Sequence, residues 1–476
     1  MGLIQFSIQT DQLVTPSEVA KADFVTFDGR VIPATSTLDA RSLSCIRRQT
    51  DSSKLRVLCD LPDRQLVAQT TSLREALQPY PLELELARGE LTRLRNFHSL
   101  WTGAGLKSNP ELEERIRKAH ASFRQAVFAD QRSGPAIETI AHTQAAMDLL
   151  VSEYSHQRIN FRHQKMQKFP LFVGCRLAQI PQHPETFLDA FNAVLIRTRW
   201  QDLEPGDGNY QWDTLEALVD WAMDSGLFCI GGPLLDLSAD CFPEWMSAWK
   251  HDLRNLESYT VDFIETVVGK FVGRIRHWEV VCGGNRGGSN GLTEEQRLNL
   301  VLRAIDAAQK VDEQIQISLR IVQPWGEYLS CTDNRLAPIQ FVDTIRRSGV
   351  SIAEVNLDLR FGNQELNSLQ RDLLNVSQLL DHWSLLQLPL NVMVAIPETS
   401  FEPLISDPEA LVSWQTQQLE DLLLLCLAKE RLSGFYCLNW EDRRAADHPL
   451  VDMHGTVHPV VRKFVEFEDR HWTRND

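Results

Sequence analysis

No stretch of the chain approaches the ~18 uninterrupted apolar residues of a membrane-crossing helix. The opening Met1-Gly2-Leu3-Ile4-Gln5-Phe6-Ser7 lacks the basic region and long apolar run of a secretory signal. Paired cysteine motifs are missing too. The nine cysteines are odd in number, scattered through apolar runs, and include no C-x-x-C pair. That pattern argues against a disulfide framework and a thiolate zinc centre, and it implies buried free thiols in the cytoplasm. Positive charge is also scarce, with 48 Lys and Arg against 64 Asp and Glu for a net charge of −16. Nucleic-acid binding and docking on anionic lipid both need the opposite balance. What remains is ordinary globular material: 43% hydrophobic and 24% charged residues over 476 positions. That is enough for two or three domains, or for one barrel with an appendage.

Three zones follow along the chain. Residues 1–86 carry short apolar runs between polar turns, and Asp28-Gly29 after Thr26-Phe27 is a hairpin signal. The strict alternation Leu82-Glu83-Leu84-Glu85-Leu86 predicts a half-buried strand, which completes a small β-domain. Residues 87–168 turn helical. Leu112, Ile116, Phe123 and Val127 form one stripe, and Ile140, Met147, Val151 and Tyr154 form another. Gln131-Arg132-Ser133-Gly134-Pro135 breaks the pattern between them, so a helical hairpin is expected. Residues 169–470 then alternate eight β-like runs with helical stretches, from Leu171–Cys175 to Gly434–Leu438. Eight such units predict an α/β fold, a (β/α)8 TIM barrel, whose functional residues stand at the C-terminal strand ends.

Several segments in the barrel, in order and correctly spaced, resemble glycoside hydrolase family 10, the endo-1,4-beta-xylanases. Trp200-Gln201-Asp202-Leu203-Glu204-Pro205 with Gly208-Asn209-Tyr210-Gln211-Trp212 is similar to that family's strand-two region and E-P…G-x-F signature. Gly231-Gly232-Pro233-Leu234-Leu235 with Phe242-Pro243-Glu244-Trp245 resembles G-H-T-L-V-W…P-x-W. Trp278-Glu279-Val280-Val281 resembles W-D-V-V-N-E, Leu388-Pro389 onward resembles L-P-x-x-x-T-E-L-D, and His448–Pro459 resembles the closing segment. The resemblance implies a retaining glycosidase, which needs two carboxyl groups about 5–5.5 Å apart at the ends of strands four and seven. Aligned on these motifs, the family positions fall on Gly283 and Val394. Neither residue type donates a proton or attacks an anomeric carbon. The expectation is therefore a divergent homologue without the two-glutamate mechanism, acting as a carbohydrate-binding or regulatory protein. Two alternatives stand beside it. One is an intracellular glycosidase using relocated carboxylates, Glu398 or Glu441. The other is a scaffold that binds a protein partner through its N-terminal region.

At the strand ends the sequence places arginines: Arg176, Arg197, Arg199, Arg320 and Arg360, with Arg443 after strand eight. Asp236 and Asn439 complete the candidate ligand site. Guanidinium forks suit carboxylate, sulfate or phosphate oxygens, which points to an anionic sugar. The competing account is an internal ion-pair lattice with Asp236, Glu279, Asp358, Glu441 and Asp442. Cys282-Gly283-Gly284-Asn285-Arg286-Gly287-Gly288 is expected to be a flexible loop, since it lacks the Lys-Ser/Thr ending of a P-loop. Cys282 is read as a buried structural thiol and His163 as a surface residue. No metal or cofactor motif emerges.

Overall fold

The β-like runs of residues 169–470 form eight parallel strands in the computed structural model: Phe172–Leu177, Ala193–Ile196, Phe228–Gly231, His277–Cys282, Gln316–Val322, Glu354–Leu359, Leu390–Val394 and Leu432–Cys437. The structure describes residues 2–10, 13–27, 29–39, 41–47, 50–61, 64–238, 242–248, 252–288, 291–363, 368–397, 407–441 and 447–472. Strand eight pairs back onto strand one, with Gly434 opposite Phe172 and Cys437 opposite Cys175, so the sheet closes. Beyond strand three, Leu235–Asp236 runs beside the end of strand four. Helices alternate with the strands, among them Asp213–Asp224, Leu253–Lys270, Glu294–Val311, Pro408–Ala428 and Val460–His471.

Side chains on neighbouring strands in register share a face, so the pairings sort lumen from exterior. Leu195 stands between Arg176 and Ile230. Arg320 stands between Cys282 and Asn356, and Met393 between Asp358 and Tyr436. The lumen holds an apolar cluster of Ala193, Leu195, Ile230, Met393, Ala395, Tyr436 and Leu438. Val392, Val394 and Ile396 belong instead to the main core shared with the helices. A register irregularity in strand four between Glu279 and Val281 turns Cys282, like Glu279, toward the strand-five residue Arg320.

The N-terminal zone consists of two four-stranded sheets. Phe6, Phe24, Leu43, Leu55 and Val57 lie in the core between them. The hairpin at residues 26–30 forms between Asp23–Val25 and Val31–Ile32, with Gly29 at φ +82°; Asp28 lies outside the described residues. Leu82–Leu86 is not a strand but the first turns of a helix, Leu82–Gly103, which runs through residue 86. Leu84, Ala87, Leu91 and Leu94 are its buried helical stripe. Glu83 is buried as well, because its carboxylate accepts the backbone N–H groups of Gln9 at 2.6 Å and Thr10 at 3.0 Å. The expected helical hairpin follows as Pro110–Phe128 and Ser133–His163.

This N-terminal third lies against loops that leave barrel strands five and six. Val25 and Val31 pack with Tyr328, Leu329 and Ala337, and Leu58 and Val67 pack with Leu369. Arg93 bridges the parts, pairing with Glu90 at 2.7 Å and with Asp372 at 2.9 Å. Among the described residues no helix is long and apolar enough to cross a membrane.

Candidate functional site

The barrel lumen near its C-terminal end carries a cluster of charged side chains. Glu279, fully buried, accepts from Arg320 Nε at 3.0 Å and from Asn356 Nδ2 at 2.7 Å, and it lies 2.5 Å from Arg320 Nη2. Asp358 lies 3.9 Å from Arg320 Nη1 and accepts from Arg360 Nε at 3.0 Å. Arg360 reaches on to Asp447 at 3.2 Å. Asp236 accepts from the backbone and hydroxyl of Ser238, at 2.9 and 2.6 Å. Two of the expected ligand arginines, Arg320 and Arg360, are thus held by acidic side chains within the lumen. Burial works against the charge of Arg360, but Asp358 and Asp447 more than restore it and hold the guanidinium above its ordinary pKa. Burial pushes the Glu279 carboxyl up to about 8, against the pull of Arg176 and the Asn356 hydrogen bond.

Arg176 differs from the other two. Its Nε and Nη2 are buried, and no acceptor among the described residues takes them. Glu279 feels its charge. Arg197 lies 3.7 Å from Asp202. Arg199 does not continue the strand. It caps the start of the short helix Trp200–Leu203, with its guanidinium against the Gln201 side-chain amide. Asn439 is buried and donates to the Asp447 carbonyl at 2.6 Å. Glu441 is half-buried after strand eight. Arg443, Asp442 and Glu398 lie outside the described residues.

Strand four ends in a turn with no room for a side chain. Gly283 has φ +69°, and a Cβ there would stand 2.5 Å from the Ser238 Cβ. The glycine-rich segment is correspondingly fixed rather than flexible. Asn285 donates to the Val322 carbonyl at 2.8 Å and accepts from the Val322 N–H at 3.2 Å. Arg297 donates to the Gly284 carbonyl at 3.0 Å and to Asn334 at 2.6 Å. The amides of Gly283, Arg286 and Gly287 all donate to backbone carbonyls, so they form no anion cradle. Val394 lies on the exterior face of strand seven. The lumen positions there are Asn391, Met393 and Ala395.

Other side chains of chemical interest resolve into packing or internal pairs. Burial, and then the carboxylates Asp236, Glu279 and Asp358, raise the Cys282 thiol well above its ordinary value, which makes it a poor nucleophile. Trp440 is buried against Phe187 and Phe191, and Trp325 lies beneath Arg371. Glu327 is the buried partner of Arg371 at 2.7 Å. His163 is not a free surface residue, since its Nε2 lies 2.9 Å from His471 Nδ1. Eight cysteines are unbridged, six of them buried and Cys331 exposed, and Cys241 is outside the described residues. No group of three His, Cys, Asp or Glu among the described residues is arranged to hold a metal.

A family model, Glycosyl hydrolase family 10, matches residues 162–296. Endo-1,4-beta-xylanase 3 of Hypocrea jecorina is 30% identical over 86 residues, which span 17% of this chain and 23% of that protein. Among solved structures, a GH10 protein from Paenibacillus barcinonensis superposes with a TM-score of 0.50 at 15% identity, covering 66% of this chain and 98% of the other. Xylanase B from Clostridium stercorarium F9 gives 0.49 at 15% identity, covering 62% and 96%. At these identities the structural likeness speaks to the fold alone.

Proposed function

We propose that this chain, whose barrel is of the glycosyl hydrolase family 10 type, is a carbohydrate-binding protein that does not cleave xylan by the two-glutamate mechanism. The observation that carries the reading is at strand four. The position aligned with the family's acid/base is Gly283, and Ser238 fills the space its Cβ would need. A retaining mechanism also needs a second carboxylate, and the lumen side of strand seven offers Asn391, Met393 and Ala395. Arg176 supports the binding half, because buried N–H groups without an acceptor call for an oxygen from a ligand or water. A sugar carboxylate or hydroxyl supplies one, and with Arg320 and Arg360 already paired, Arg176 is the candidate-site cation whose buried donors have no acceptor among the described residues. In this reading the zones 1–86, 87–168 and 169–470 are a β unit, a helical spacer and the binding barrel. The unbridged cysteines support a cytoplasmic setting. For a protein partner of the N-terminal region, the exposed Leu100 and Phe128 are the supporting surface.

The test uses the purified full chain with xylan and with neutral and acidic xylo-oligosaccharides. No reducing ends should be released from xylan. The thermal midpoint should rise with an oligosaccharide, and the rise should be lost in Arg176→Ala, since a ligand that binds only the folded state stabilises it. Turnover of xylan by the wild type overturns the proposal. Turnover that collapses in Glu441→Gln would move the chemistry to that residue.

A further inference from the structure

Away from the barrel lumen, the N-terminal sheet strand Gln65–Gln69, the helix Ser133–His163 and the barrel helix Pro408–Ala428 border a cavity of about 620 Å³. That is within the range of small-molecule sites. Its charged walls are largely neutralised already. Arg64 pairs with Asp148 at 2.5 Å, Arg115 with Glu111 at 2.7 Å and Arg371 with Glu327 at 2.7 Å. Asp372 pairs with Arg93 at 2.9 Å. An ionic ligand therefore finds little charge awaiting it.

What the walls leave over is neutral hydrogen-bonding capacity. Ser155 lines the cavity and its buried hydroxyl has no partner among the described residues, and the same holds for Arg371 and its Nε. Unpartnered buried polar atoms are uncommon in folded proteins and mark places where a ligand or water completes the bonding. Beside them stand the Gln418 amide, the Gln417 amide held to Asp421 at 2.9 Å, and the half-buried indole of Trp414. Planar amide, carboxyl and guanidinium groups grip vicinal hydroxyls, and an indole covers the C–H face of a ring.

We infer that this cavity is a second ligand site, which takes a neutral polyhydroxylated ring compound of mono- or disaccharide size between the N-terminal third and the barrel helices. The inference stands apart from the reading of the barrel mouth.

Isothermal titration of the full chain with xylobiose, cellobiose and myo-inositol tests it, repeated in Trp414→Ala, Ser155→Ala and Arg176→Ala. At least one probe should bind the wild type. Loss of the indole should weaken that binding about tenfold. Ser155→Ala should weaken it by roughly fivefold. Because Ser155→Ala removes a hydroxyl with no partner, the free protein should keep its thermal midpoint, which separates lost binding from lost folding even if Trp414→Ala unfolds. Binding should persist in Arg176→Ala. The inference fails if none of the three probes binds, or if binding is undiminished in Ser155→Ala. It also fails if binding is lost only in Arg176→Ala, a result that instead supports the barrel-mouth reading.

Discussion

Glu279 shows what a charged lumen demands of single residues. Three side-chain contacts, two from Arg320 and one from Asn356, do not offset its removal from water, and its pKa rises from the ordinary 4.5 to about 8. The folded state therefore holds this proton more tightly than the unfolded chain does. The stability it contributes is fully present below about 4.5 and is lost as pH rises toward about 8. Glu279→Gln should flatten that part of the profile, leaving a slope at lower pH from Glu90 and Asp421, which burial raises to about 7 and about 6. Thermal midpoints of the two proteins across this range check it, and identical profiles would refute it. Arginines such as Arg176 and Arg320 are legible in the sequence because each interrupts an apolar run at a strand end. Asn356 and Asn391 are not, since an asparagine inside such a run carries no periodic signal. Only the closed lumen shows that they bridge Glu279 and Glu354.

At the scale of elements, the eight barrel strands are legible because each is a short apolar run bounded by turn residues and followed by a helical stripe. Leu82–Leu86 misleads for a physical reason. Five residues of alternation fit a strand, but these glutamates are consumed locally, Glu83 by the Gln9 and Thr10 amides and Glu85 by Arg88 at 3.2 Å. The polar positions of the pattern therefore do not mark a solvent face. The turn after strand four misleads in the same way: its glycines suggest mobility, yet Asn285 and Arg297 hold it. Gly283→Ala should destabilise the protein by about 2–4 kcal/mol, from the left-handed backbone and the collision with Ser238. Urea unfolding measures this, and a change under about 0.5 kcal/mol, typical of an unconstrained surface position, would mean the turn is loose.

Over the whole molecule, the N-terminal third is not an appendage on a tether. It meets the barrel through two apolar clusters, the Val67 N–H to Gln370 carbonyl bond at 3.1 Å, and the buried Glu90–Arg93–Asp372 network. Asp372 also caps the helix Leu373–Trp383 through the Asn375 N–H at 2.7 Å, so the network ties a barrel element directly to the N-terminal helix. Arg93→Met should cost about 3–5 kcal/mol, because it leaves Asp372 buried without its cation. The N-terminal third and the barrel of the wild type should unfold in one transition followed by urea. A separate early transition of the N-terminal third would contradict the coupling. This contact is the part of the architecture least legible in the sequence, since its partners are 279 residues apart and share no motif.

The meeting of Gly283 with Ser238 has a consequence for ancestry. One base change in a glycine codon writes an acid at residue 283, but the fold of this chain opposes it. Any larger side chain arrives in a backbone conformation that disfavours it and in a space already taken. A lineage would have to vacate Ser238, re-form the turn and acquire the carboxylate together, with each step alone costing stability. Change at this strand end therefore runs far more easily in one direction than in the other.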